Sequence, residues 1–66
     1  MPATASTFQH LATSLRQAIG HLQDASYHMQ RASRPRAESV EQVIKLLHNH
    51  LAFAQDELNK LTRDSQ

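Results

Sequence analysis

Five histidines and no cysteine bound the chemistry open to this chain. His21, Asp24 and His28 are spaced i, i+3, i+7, which on a helix sets two imidazoles and a carboxylate on one face. With His50 added from across a groove, they make a nitrogen and oxygen donor set of the kind zinc accepts. The i, i+4 histidine pair that helices present to a metal is missing, so the expectation is solvent-facing histidines beside an apolar seam, with no metal and no cofactor. His10 and His48 fall on other faces and read as surface residues. General acid–base work needs a cleft and an orienting partner, and no Gly-rich phosphate loop, nucleophile elbow or paired carboxylates appear. The chain is therefore expected to be no enzyme and to take no small-molecule substrate.

Arg31, Arg34 and Arg36, with Lys45 further on, are the other group with chemical reach, since guanidinium groups contact phosphates. Against a nucleic-acid role stands the overall balance: 7 basic and 6 acidic residues give a net charge of +1. One Tyr and two Phe leave little for base stacking. The plain alternative is favourable charge at a helix C-terminus and a solvated turn. A dimeric, hairpin-shaped nucleic-acid-binding regulator is thus the second reading, behind protein binding.

Both groups must be carried by helices. From Phe8 the apolar residues Phe8, Leu11, Leu15, Ala18, Leu22, Ala25, Met29 and Ala32 advance in steps of 3 and 4, the heptad rhythm of a helix seam. Ala37, Val40, Ile44, Leu47, Leu51, Ala54, Leu58 and Leu61 repeat it. Between the runs lies Ser33-Arg34-Pro35-Arg36, and proline belongs in a first helical turn rather than an interior. The reading is an all-α, antiparallel two-helix hairpin: helix one over about 6–32, turn 33–36, helix two over about 36–63, with 1–5 and 64–66 frayed. Ser6 with Gln9 forms a candidate capping box, and Glu38 and Glu41 sit early in helix two. With the turn centred between Arg34 and Pro35, facing residues have numbers adding to 69, such as Leu22 with Leu47, and all eight such layers are apolar. Gly20 falls at an outward position of this heptad.

A single domain of 66 residues without disulfides has a marginal core, which points to association with another chain. Val43, Leu46, His50 and Phe53 make a second stripe along helix two, and Ala5, Ala12 and Ile19 lie on a flank of helix one. Contiguous apolar patches of this sort mark interfaces. The expected partners are a second copy, closing a four-helix bundle, or another protein, with Val43, Leu46, His50, Phe53 and Ile19 at the contact. The function that follows is a small interaction module: an adaptor, co-chaperone or inhibitor. No apolar run is long enough to span a membrane, and Met1 to Thr7 lack the basic and apolar regions of a signal peptide, so cytoplasmic residence is the default expectation. In outline the hairpin is similar to a plasmid copy-number regulator, to small co-chaperones of type III secretion needles and to compact phage-encoded inhibitors. That similarity is one of shape, carried by no particular residues.

Overall fold

Thr4 starts the first helix. Its hydroxyl accepts the Thr7 N–H at 3.3 Å and its carbonyl accepts the Phe8 N–H at 3.2 Å, satisfying donors that a helix start leaves orphaned. The computed structural model describes residues 4–64, and the first helix, α1, spans Ala5–Ala32. The cap is therefore Thr4 and not the Ser6/Gln9 pair, whose residues lie inside the helix. Most of the segments expected to fray lie outside the described residues, although Ala5 and Asp64 are helical ends.

One residue reverses the chain. Ser33 is extended (φ −160°, ψ 107°); its N–H closes α1 on the Met29 carbonyl at 2.6 Å, and its own carbonyl accepts the Ala37 N–H at 3.0 Å. Ser33 thus ends one helix and caps the next, and α2 spans Arg34–Asp64. The expected four-residue turn shrinks to this single position because Arg34, Pro35 and Arg36 already belong to the first turn of α2, where proline's missing N–H costs nothing. Glu38 and Glu41 consequently lie beyond that first turn, which holds no acidic residue.

Shortening the turn changes the register. Counted at the helical rise from a pivot on Ser33, positions whose numbers add to 66 rather than 69 come level along two parallel rods. The cross-helix contacts agree in direction. Ser26 Oγ donates to Glu41 Oε1 at 2.5 Å, and the rings of Phe8 and Phe53 meet edge to face, with centroids 6.0 Å apart at 73°. The longer turn would have set Ser26 level with Val43 and Phe8 level with Leu61.

The seam on α2 is the one its heptads describe: Ala37, Ile44 and Ala54 are buried, and Val40, Leu47, Leu51, Leu58 and Leu61 are half-buried. On α1 the seam is rotated by one position. Ala12, Ile19 and Ser26 are buried, with Phe8, Leu15, Leu22 and Met29 half-buried beside them. Leu11, Ala25 and Ala32, expected inside, are exposed, and Ala18 is half-buried. Ala12 and Ala54, level across the pivot, are 2% and 0% exposed. Small residues at the contact let two helices approach to the short end of the 8–10 Å range of axis separations. Ser26 can occupy this line because Glu41 accepts its proton, which removes the cost of a buried unpaired hydroxyl.

The molecule measures 50 × 20 × 14 Å, a slab one helix thick. Gly20 meets nothing within 4 Å of where a Cβ would stand. Gly20→Ala should therefore raise unfolding stability by about 0.5–1 kcal/mol in urea titration, by relieving backbone entropy alone. Ala54→Leu should lower it by about 1–3 kcal/mol, because the added atoms must force the helices apart.

Candidate functional site

The two sides of this slab differ in chemistry. At 100° per residue from the buried line of α1, one side carries Phe8, Leu15, Leu22 and Met29, followed outward by Leu11, Ala18, Ala25 and Ala32. The other side carries Gln9, Arg16, Gln23 and Gln30. On α2 the corresponding sides carry Val43, Leu46, His50 and Phe53, and Glu41, His48 and Gln55. In an antiparallel pair of right-handed helices the matching flanks come to the same face, and the Phe8–Phe53 ring contact spans the two helices there. The hairpin is accordingly apolar on one broad face and polar on the other, with Tyr27, 59% exposed, an exception on the polar side of α1 and Arg36, in line with Val43 and His50, an exception on the apolar side of α2.

On the apolar face large side chains stand open to solvent: Leu46 is 59% exposed, Phe53 54%, Val43 45% and Leu11 37%. Four of the five residues expected at a contact (Val43, Leu46, His50 and Phe53) are exposed and share this face. The fifth does not. Ile19 is 5% exposed in the seam between the helices and offers nothing to a partner; the one-position rotation of α1 carried it inward. The same rotation turned Leu11, Ala25 and Ala32 outward, onto the apolar face. Their contribution was hidden in the heptad pattern, which assigned them to the seam.

The whole chain exposes 5272 Å². A folded monomer of its 7.5 kDa is expected to expose about 4,200 Å², so the hairpin leaves roughly 1,000 Å² more uncovered than its mass warrants. One face of a 50 × 20 Å slab is also about 1,000 Å², above the roughly 800 Å² per partner of a standard protein interface.

The basic cluster is dispersed by the fold. An open concavity of about 510 Å³ beside the turn gathers Arg31 and Arg34 with Gln30, Ala37, Glu38 and Glu41, but takes in neither Arg36 nor Lys45. Two carboxylates in the same hollow oppose a phosphate as strongly as the two guanidinium groups attract one. Arg34 and Arg36 stand about 200° apart around α2, on opposite faces. At the far end Lys60 lies 3.5 Å from both Asp56 and Glu57; Glu57 first and Asp56 second raise the pKa of its ammonium above the ordinary value.

The histidines do not converge either. Asp24 and His28 are 3.8 Å apart on open surface, and the Tyr27 ring meets His28 edge-on at 5.3 Å. Among the described residues no three of His, Asp and Glu gather as metal ligands, so His21 and His50 do not complete a set with that pair. Nor, among those residues, is any helix long and apolar enough to cross a membrane.

Comparison with protein-family models, with curated proteins and with solved structures found no match for this chain. Because the candidate ligands stay apart, zinc in excess should leave the thermal unfolding midpoint of the parent where it is. A rise that disappears in His21→Ala would instead show a site assembled on binding.

Proposed function

We propose that this hairpin is a protein-association module, acting by docking its apolar face on a matching helical surface to complete a four-helix core. One observation carries the reading: the exposed Leu11, Val43, Leu46 and Phe53 lie together on one face, opposite a face of glutamines and charges. A two-helix layer cannot cover its own apolar side, and a second layer is the commonest way for helical proteins to do so.

The role that follows is one of bridging or masking, in the manner of an adaptor, co-chaperone or inhibitor, with no chemical step of its own. Val43, Leu46 and Phe53 supply the buried anchor, an aromatic ring with aliphatic neighbours, of the kind that dominates binding energies. His50 sits among them as the one polar group, in line with Val43 one heptad away. The polar face, bearing Arg16, Glu38, Glu41 and Lys45, remains open to solvent when the other face is covered. Separation of Arg34 from Arg36, and the two glutamates beside Arg31 and Arg34, weigh against the nucleic-acid reading.

The double substitution Leu46→Asp/Phe53→Asp should abolish association in sedimentation velocity while leaving most of the helical circular dichroism. Both residues are more than half exposed, and Leu46→Asp alone, which leaves the Phe8–Phe53 ring contact between the helices intact, should weaken association in the same direction. Assembly of the double variant indistinguishable from the parent's would show that another surface is used. Conversely, His50→Leu should tighten association by roughly ten-fold, as one more side chain joins the anchor in place of a polar group.

A further inference from the structure

We propose that the occupant of the apolar face is a second copy of this chain, docked antiparallel so that the two turns lie at opposite ends of a four-helix bundle. The inference rests on the association reading above and adds the partner and its orientation.

The argument is one of self-complementarity about a single two-fold axis. A face that docks on its own copy must look the same from both ends, so that each bulky group finds a small or compatible one in the copy. On α2 the exposed stripe Val43, Leu46, His50, Phe53 is symmetric about position 48: Val43 meets the copy's Phe53, and Leu46 meets its His50. On α1 an axis through position 18 sets Leu11 against the copy's Ala25, Ala18 against itself and Leu15 beside the copy's Leu22, with Ala32 of the same row falling against the copy's Thr4 at the end of the slab. With the pivot at Ser33, positions 18 and 48 stand at the same height along the slab, because their numbers add to 66. One axis therefore serves both helices at once, and a register summing to 69 would not have provided it.

Two further features agree. The face is large enough, at about 1,000 Å² per chain, for a stable interface between small proteins. Ala18 at the axis, with Ala25 and Leu11 alternating large and small around it, allows α1 to approach its copy closely.

The chain has no cysteine, so one introduced thiol reports the orientation cleanly. Ala18→Cys should form a symmetric disulfide under mild oxidation, converting most of the protein to covalent dimer, because the antiparallel axis brings the two Cα atoms within the roughly 7 Å that a disulfide tolerates. Thr13→Cys, on the polar side of α1, should remain monomeric on the same gel. In a parallel dimer α1 faces the copy's α2, the two positions 18 sit on the bundle diagonal, and no disulfide forms. A parent that sediments as a dimer, dissociates with Leu46→Asp/Phe53→Asp, and fails to cross-link through Ala18→Cys overturns the orientation while the association reading stands. A parent dimer indifferent to that double substitution overturns both. A parent that stays monomeric at several hundred micromolar overturns the second copy as occupant.

Discussion

A chain that turns back on itself through one extended residue has room for only one line of burial. Ser33 closes α1 with its N–H and opens α2 with its carbonyl, leaving no loop to swing either helix away from the other. The rods must run side by side, at a spacing that small residues in the seam permit. What is buried follows from that spacing: Ala12, Ala37 and Ala54, the two isoleucines Ile19 and Ile44, and one serine. Among the described residues Ser26 is the largest side chain closed off below 2% exposure, the isoleucines each keep 5%, and the leucines of the seam are half-buried or exposed. Small domains usually meet this shortage of interior with disulfides, metals or a second chain. The first is excluded by composition, and no ligand group for the second assembles among the described residues.

The asymmetry between the faces gives the shortage a direction. Gln9, Gln23, Gln30 and Gln55 line the polar side together with Arg16, Glu41 and His48, and all of them are exposed. Ser26 and Glu41 tie the helices together at the border between seam and polar face. Their hydrogen bond is charge-assisted, a stronger class than a neutral pair. It also favours one rotational setting of α1: were α1 turned by one position, Ser26 would leave the seam and the bond would be lost. That setting sends Leu11, Ala25 and Ala32 outward with Phe53 and Leu46, which makes the apolar face wide enough to matter. A buried polar contact on one side of the slab thereby shapes the hydrophobic surface on the other.

Charge plays a smaller part. Lys60 is held by Glu57 and Asp56 on the surface of α2, and Asp24 with His28 on that of α1, both in settings where solvent screening leaves ion pairs little net worth. The arginines of the turn are dispersed around two helices.

The sequence by itself determined the helices, their antiparallel return near Pro35 and the seam of α2. Each of these is written in a local rule: the 3.5-residue apolar rhythm, proline's tolerance of a first turn, and an apolar run from Ala37 to Leu61 longer and more regular than the stripe of Val43, Leu46 and Phe53 beside it. It also singled out Val43, Leu46, His50 and Phe53, because a stripe parallel to a well-defined seam must lie outside it. The seam of α1 was ambiguous, since Phe8, Leu15, Leu22 and Met29 are flanked on one side by Leu11 and Ala18 and on the other by Ala12 and Ile19. Either side serves as a heptad, and periodicity alone cannot choose between them. The tertiary structure chose through residues far apart in the chain: Ser26 bonds to Glu41, and Ala12 and Ala54 are both closed to solvent in the seam. For the same reason only the folded chain could show that Ile19 is interior, that one residue makes the turn, and that the arginines part company. Local spacing specifies which residues share a helix face, but the direction in which that face points is set by what the other helix can accommodate.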